Sequence, residues 1–153
     1  MKKRLIALVV ASLAFGTTAS AQDDFSGALK ARKGQFNILA INLGILGGMA
    51  KGETPYDAEA AQTAADTLVA VSMINQPPLF PAGSDNMSIE DTRAQPSVWD
   101  NREDFLAKWA GLGEAALKIQ AAAGTGQEAL GPMLGMLGGA CKACHDNHRA
   151  PAG

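Results

Sequence analysis

Apolar residues recur at alternating steps of four and three in the first third of the chain, which predicts a long amphipathic helix from about residue 24 to residue 51. This spacing is typical of the seam between antiparallel helices in a bundle. The seam positions are Phe25, Leu29, Arg32, Phe36, Leu39, Leu43, Leu46 and Ala50. Arg32 is the exception among them, and its guanidinium either reaches past the end of the core or meets an anionic group.

A second apolar stripe runs along the same predicted helix, beside several glycines. Its members are Ile38, Ile41, Ile45 and Met49, and the glycines are Gly44, Gly47 and Gly48. A glycine in a helix interior costs about 1 kcal/mol relative to alanine, so we expect the close approach of another helix to offset that cost. The pattern does not distinguish the next helix of the same chain from the same helix of a second subunit.

A second helix is predicted from about residue 56 to residue 73. Gly52 before it fits a C-terminal cap of the first helix, and Thr54 or Asp57 fits an N-cap of the second. Small residues dominate its inner side, which predicts close packing. They are Ala61, Ala64, Leu68, Val71 and Ser72.

Two more helices are predicted in the second half of the chain. The third begins near Ser97, as its N-cap, and ends at the Gly-Thr-Gly run of residues 124–126, with Trp99 and Trp109 expected in the core. The fourth begins at residue 125 or 126. Its inner stripe contains Leu130, Leu134, Leu137, Cys141, Cys144 and His148.

The proline-rich stretch of residues 75–97 is the longest irregular segment. A connection of this length crosses a bundle or covers something, because neighbouring antiparallel helices need only a few residues between them. It is either a surface crossover anchored by Leu79 and Phe80 or a cover for a bound group. The whole pattern predicts an all-α fold, an antiparallel up-down four-helix bundle with a long crossover loop between the second and third helices.

Residues 1–21 have the features of a secretory signal peptide. Lys2, Lys3 and Arg4 precede an apolar run, and Ala19-Ser20-Ala21 forms a cleavage site. Cleavage leaves residues 22–153, or 132 residues, which predicts one domain. The short lysine-rich signal is typical of a bacterial envelope protein and predicts a periplasmic location.

The charge and hydropathy of the remaining chain argue against two classes of partner, nucleic acid and the membrane interior. It carries 10 basic and 15 acidic side chains, a formal net charge of −5, which disfavours nucleic acid. No later apolar stretch approaches the roughly 20 residues needed to cross a bilayer, so we expect no membrane insertion.

The chemistry of the chain is concentrated in Cys141-Lys142-Ala143-Cys144-His145, a C-x-x-C-H run typical of covalent c-type haem attachment. Two thiols must bond to one porphyrin while an imidazole reaches its iron. Positions i, i+3 and i+4 share one face of a helix, so Cys141, Cys144 and His145 can meet the same macrocycle. We therefore predict one haem c per chain, attached through Cys141 and Cys144.

Three other interpretations of the two cysteines remain open on the residues alone. A thioredoxin-like redox pair normally follows a strand, and helical spacing precedes Cys141. A zinc site of Cys141, Cys144, His145 and His148 would place all its ligands on consecutive turns of one helix, unlike the separated ligand pairs of structural zinc sites. A structural disulfide across two residues would be strained and would gain little loop entropy.

With this motif near the C-terminus of a four-helix bundle, the chain resembles the cytochrome c′ family of class II c-type cytochromes. The resemblance covers the mature chain and rests on the C-x-x-C-H motif with Asp146 after it and Arg149 four residues past the histidine. Three segments reinforce it: Lys51-Gly52 before Pro55-Tyr56-Asp57-Ala58, Phe80-Pro81-Ala82-Gly83, and Trp99 before Phe105.

The resemblance implies a role for several single residues. It makes His145 the one protein ligand to iron, Arg32 a contact of a haem propionate and Phe36 the apolar residue over the vacant iron face. Lys33 and Arg93 fall at positions of other haem contacts, although their residue types differ from those of relatives. His148 stands where the family commonly has Tyr or Phe. The resemblance also implies a homodimer formed through the first two helices.

The sixth iron position is expected to be empty, which makes the iron five-coordinate and high-spin. His148 leaves the helix of His145 one turn later and so reaches the same side of the ring. Met49 lies roughly 20 Å from Phe36 along the first helix, at 1.5 Å per residue. Met133 and Met136 lie on the helix of His145, whereas a methionine ligand on the opposite side of the iron would have to come from the first helix.

An apolar pocket favours nitric oxide and carbon monoxide over ligands that need a polar partner. We therefore expect a periplasmic haem protein that binds these gases and can transfer electrons. The alternative is a diffusible electron carrier of a respiratory or photosynthetic chain, with a redox partner that the sequence does not identify. No polar acid–base pair is visible near Phe36, so we do not expect an enzyme such as a peroxidase.

Overall fold

Four long helices pack as an antiparallel bundle in the computed structural model, which describes residues 24–151. The helices of this part of the chain are α1 (Ser26–Ala50), α2 (Ala58–Ser72), the one-turn α3 (Ser97–Asp100), α4 (Arg102–Ala122) and α5 (Gln127–His148). The helix α1 packs against α2 and α5, and α4 packs against the same two helices. The predicted all-α four-helix bundle with a long crossover loop is confirmed.

The α1–α2 and α4–α5 connections lie at one end of the bundle and are joined by a hydrogen bond. Gly52 follows α1 with a left-handed φ of +72°, and the extended Asp57 caps α2 by accepting a hydrogen bond from the Ala60 amide at 2.8 Å. The Tyr56 hydroxyl donates to the carbonyl of Ala123, in the α4–α5 connection, at 2.8 Å. The second helix therefore begins at Ala58 and not at residue 56, because Asp57 is its N-cap.

The predicted third helix is in fact two helices. Its backbone leaves helical geometry at Asn101, where φ is −126° and ψ is 58°, so that the single turn α3 precedes α4. Ser97 is not an N-cap, because its hydroxyl donates to the Asn147 carbonyl of α5 at 2.6 Å. A contact with a distant helix has replaced the local cap that the sequence predicted.

The core consists of a main cluster inside the bundle and a smaller aromatic cluster at the end where the crossover loop lies. Leu46, Leu68, Ile119 and Leu130 from the four long helices are at most 1% exposed in the main cluster. The smaller cluster contains Phe80, Val98 and Phe105, with Leu79 packed against it. Phe80 and Leu79 thus anchor the crossover loop, as one of its two interpretations expected, and this packing does not exclude the other.

The end of the crossover loop pairs with the end of α5. The Gln95 amide donates to the His148 carbonyl at 3.0 Å, and the Ala150 amide donates to the Arg93 carbonyl at 2.8 Å. These bonds surround an isolated antiparallel bridge between Ala94 and Arg149. The loop is therefore held against the haem-attachment end of α5.

Three of the four residues in the second stripe of α1 face away from the rest of the described chain, whereas Met49 is 6% exposed and packs in the main core. Ile38, Ile41 and Ile45 are 43%, 63% and 41% exposed. A Cβ added at Gly44 or Gly47 would meet no other atom within 4 Å, whereas one at Gly48 would lie 3.2 Å from Oγ1 of Thr54. Within residues 24–151, only the last of these three glycines is explained by close packing in the same chain.

The predicted signal peptide, residues 1–21, lies outside the described residues. Across residues 24–151, no helix combines the length and the apolar character needed to cross a membrane.

Candidate haem site

Cys141 and Cys144 lie on the inner side of α5 and are both half-buried free thiols. Cys141 packs against the main core, and Cys144 packs against the aromatic cluster of Phe80, Val98 and Phe105. Burial raises the pKa of both thiols, that of Cys144 to about 11. Both groups are therefore protonated thiols, the form that adds across a vinyl group to give a thioether.

His145 directly follows Cys144 on α5 and lies at an open cleft that it lines with Arg93 and Arg149. Nη1 of Arg149 is 3.3 Å from Nδ1 of His145. Partial burial, followed by the positive charges of Arg149 and Arg93, lowers the pKa of His145. A neutral imidazole has the lone pair that a metal ion needs.

His148 does not join the two cysteines and His145. Its ring is 4% exposed and contacts Asp104 and Ser97, with Nε2 2.9 Å from Oδ2 of Asp104. In the described part of the chain, no group of three or more His, Cys, Asp or Glu side chains is arranged to hold a metal ion. The geometry therefore does not support the zinc interpretation.

Arg32 is buried, although it is a cation on the predicted seam. It is 4% exposed, and its Nη2 donates to the Ser84 carbonyl at 3.1 Å and to Oγ1 of Thr92 at 3.0 Å. Its guanidinium also lies 4.7 Å from the centre of the Phe80 ring. These acceptors are neutral, and burial lowers the pKa of Arg32. Among residues 24–151 the buried charge has no carboxylate partner, which an added anionic group would provide.

Lys33 and Arg93 lie near the same loop but have different partners. Nζ of Lys33 is 2.5 Å from a carboxylate oxygen of Asp91, in an exposed ion pair. Nε of Arg93 donates to the Ala150 carbonyl at 2.8 Å, which holds its side chain at the cleft of His145. Of these two predicted contacts, the structure brings only Arg93 to His145.

Phe36 and Trp109 face each other between α1 and α4. Their ring centres are 6.1 Å apart in an edge-to-face arrangement, and Phe36 is 38% exposed. Phe36 therefore faces a core residue of α4 and is partly open on its other side, and its predicted place over the iron stays a prediction. Nε1 of Trp109 is buried and has no hydrogen-bond partner in the described residues, as expected of a side chain beside a site for another molecule.

Several residues of this region were missed by sequence reasoning. Ser84 and Thr92 hold Arg32, while Asp104 and Ser97 hold His148. Arg32 and Thr92 are separated by 60 residues, so no local spacing could have indicated that contact.

The residues present fit a covalently attached haem. Two thiols and one imidazole lie within five successive residues of α5. The buried Arg32 has no carboxylate partner in the described part of the chain, and Trp109 has a buried donor without an acceptor there. These groups can hold the two vinyl positions, the iron and an anionic edge of the porphyrin.

Comparison with known proteins agrees with this site. The sequence model of the family described as cytochrome C′ matches residues 27–149. Cytochrome c-554 of Cereibacter sphaeroides is 42% identical over 144 residues, which are 94% of each chain. These two matches span nearly all of the described residues.

Solved structures agree as well. Cytochrome c′ from Rhodobacter sphaeroides superposes with a TM-score of 0.81 at 37% identity, over 85% of this chain and 100% of that one. A carbon monoxide-bound variant of cytochrome c′ from Alcaligenes xylosoxidans superposes with a TM-score of 0.72 at 26% identity, over 83% and 97% of the two chains. From its haem-attachment motif, its four-helix bundle and these matches, the chain belongs to the cytochrome c′ family, whose members bind haem c.

Proposed function

We propose that this protein is a periplasmic haem protein in which His145 is the one protein ligand to a five-coordinate, high-spin iron. In this proposal the opposite side of the iron, near Phe36, binds nitric oxide and carbon monoxide, and the protein can transfer electrons. When bound, haem supplies a redox-active iron that takes up diatomic gases. Cys141 and Cys144 hold it covalently, and Arg32 pairs with a propionate.

One observation carries the proposal: two side chains that could give iron a second ligand, those of His148 and Met49, are engaged elsewhere. His148 is held by Asp104 and Ser97, and Met49 is 6% exposed within the main core. Phe36, which the resemblance assigns to the vacant side, is apolar and contacts Trp109. A sixth ligand from these groups would require the core or the hydrogen-bonded ring of His148 to rearrange.

Gas binding is also supported by a relative. The cytochrome c′ variant from Alcaligenes xylosoxidans carries bound carbon monoxide in its solved structure. The apolar ring of Phe36 offers no hydrogen bond to a ligand, which favours nitric oxide and carbon monoxide over anions. Gln35, next to Phe36 on α1, is buried and donates to the side-chain carbonyl of Gln76 in the crossover loop at 2.8 Å, so its amide is held by the loop.

The decisive experiment is an absorption and resonance Raman spectrum of the purified protein, with and without each gas. We expect high-spin, five-coordinate iron at rest and new bands with nitric oxide or carbon monoxide. A six-coordinate low-spin spectrum that carbon monoxide does not change would contradict the proposal.

The exposure of His145 favours a second candidate function, that of a diffusible electron carrier without a gas-binding role. His145 lies at an open cleft with Arg93 and Arg149, so a haem edge there would be accessible to an acidic partner. Rapid electron exchange in a protein that binds neither gas would favour this alternative.

A homodimer formed through α1 and α2 is part of the proposal. It is supported by the exposed Ile38, Ile41 and Ile45, and by Gly44 and Gly47, which have no close neighbour in the described part of the chain. A second copy of α1 would cover this stripe and meet these glycines closely.

We also propose a periplasmic location and no enzymatic role. The location is supported by the signal peptide predicted in residues 1–21, and mass spectrometry of protein from the periplasm should find Gln22 at the N-terminus. The lack of enzymatic activity is supported by the apolar contact of Phe36 with Trp109, which provides no acid–base pair. A peroxidase assay on the haem-loaded protein tests it.

A further inference from the structure

His148 is a buried histidine that the proposed function does not use. It is the last residue of α5, one turn past His145, and is 4% exposed. Its ring and that of Phe105 pack edge to face, with ring centres 5.6 Å apart and an angle of 87° between the ring planes. Its ring is thus enclosed between the haem-bearing helix and α4.

Both ring nitrogens of His148 have polar partners. Nε2 lies 2.9 Å from Oδ2 of Asp104, and Nδ1 lies 3.0 Å from Oγ of Ser97. The hydroxyl of Ser97 donates to the Asn147 carbonyl at 2.6 Å, so its single proton is already used. Oγ of Ser97 must then accept a hydrogen bond from Nδ1–H, while Oδ2 of Asp104 accepts one from Nε2–H.

A ring that donates from both nitrogens is an imidazolium. In the neutral alternative, the hydroxyl of Ser97 would turn towards Nδ1 of His148. The Ser97 and Asn147 oxygens would then face each other at 2.6 Å without a proton between them, which is repulsive. The charged ring satisfies all three contacts, and the neutral ring satisfies only two.

The charges around His148 leave a positive excess. The other carboxylate oxygen of Asp104 is bound by Lys108, so one anion lies between two cations. The hydrogen bond from Lys108, and then that from His148, lowers the pKa of Asp104 and keeps it ionised. Lys108 and Asp104 also act on the Cys144 thiol, which shows that this group of charges is close to the haem-attachment turn.

We propose that His148 is a positioning residue with a charge: its imidazolium fixes the last turn of α5 to α3 and α4 and raises the reduction potential of the iron bound by His145. A positive charge near the iron favours its ferrous state, which has one positive charge fewer. The inference rests on the proposed function, because it requires haem at Cys141 and Cys144.

The test compares His148→Phe and His148→Gln with the native protein, all with haem attached. Phenylalanine keeps an aromatic ring on Phe105 but loses both hydrogen bonds. Glutamine keeps a donor for Asp104 but loses the charge, and it serves if the phenylalanine variant does not fold. Lys118→Gln removes one exposed positive charge from α4 and is the control for charge alone.

The measurements are covalent haem content, the iron–histidine stretching band by resonance Raman, and the midpoint potential near pH 7. We expect a lower potential in both His148 variants, a broadened or shifted band chiefly in His148→Phe, and little change in Lys118→Gln. Potentials at or above the native value would overturn the inference alone. A native chain without covalent haem would instead overturn the proposed function, and the inference with it.

Discussion

Cys141 and Cys144 lie one turn apart on α5, yet Cys141 packs against the main core and Cys144 against the aromatic cluster beside the crossover loop. A group bonded to both sulfurs therefore joins the two parts of the core. The burial of both thiols, the engagement of Arg32, the exposure of Phe36 and the exposed isoleucines of α1 lead to five predictions.

The first prediction concerns thiol reactivity before haem is attached. With its pKa raised to about 11, Cys144 is a thiolate in roughly one molecule in a thousand near pH 8, against about a tenth for a cysteine with the ordinary pKa of 9.0. We expect iodoacetamide to modify Cys144 of the folded, haem-free chain about a hundredfold more slowly than in urea. Mass spectrometry of timed samples measures both rates, and equal rates would show that burial does not control this thiol.

The second prediction is a loss of stability of the haem-free chain at alkaline pH. The pKa values of both thiols are raised above the ordinary value of 9.0, so above that pH the unfolded chain releases protons that the folded chain keeps. The free energy of unfolding should then fall as pH rises from about 9 towards 11. A variant with Cys141→Ala and Cys144→Ala is the control, and urea unfolding should show a smaller fall for it.

The third prediction separates the two roles of Arg32. We expect Arg32→Met to lower the free energy of unfolding by about 2 kcal/mol more in the haem-loaded protein than in the haem-free one, because only the former offers the buried cation an anionic partner. Lys33→Met, in an exposed pair with Asp91, is the control and should change either form by less than about 1 kcal/mol. Equal losses for Arg32→Met in both forms would mean that Arg32 serves only the crossover loop.

The fourth prediction concerns access to the iron. Phe36→Ala removes the ring that contacts Trp109 and should speed carbon monoxide association about tenfold, which corresponds to a barrier lower by ~1.4 kcal/mol. Flash photolysis measures this rate. Ile41→Ala on the exposed stripe of the same helix is the control, and an unchanged rate in Phe36→Ala would show that Phe36 does not limit entry.

The fifth prediction concerns assembly. Ile41 is 63% exposed at the centre of the apolar stripe of α1, and Ile41→Glu would place a charge in the proposed dimer interface. We expect analytical ultracentrifugation to find monomers at concentrations where the native protein is dimeric. Leu117→Glu is the matched control, because Leu117 is 53% exposed on α4, and a dimer that survives Ile41→Glu would exclude this interface.

Much of the fold could be predicted because its signals are local. The helical period, Gly52 after α1 and the Asp57 cap each depend on residues within about one turn, and the structure bears them out. The break at Asn101 could not be predicted in this way. Ser97, four residues before that break, donates its hydroxyl to the Asn147 carbonyl of α5, a partner 50 residues away.

The sequence by itself determined the attachment chemistry, because the spacing of Cys141, Cys144 and His145 puts them on one face of any helix. Only the tertiary structure decided the surroundings of that face: Arg32 buried against Ser84 and Thr92, His148 enclosed by Ser97 and Asp104, and Phe36 partly exposed. The physical reason is the distance along the sequence between the residues that interact. A motif is set by the geometry of one helical turn, whereas burial and hydrogen-bond partners depend on segments that meet only when the bundle is packed.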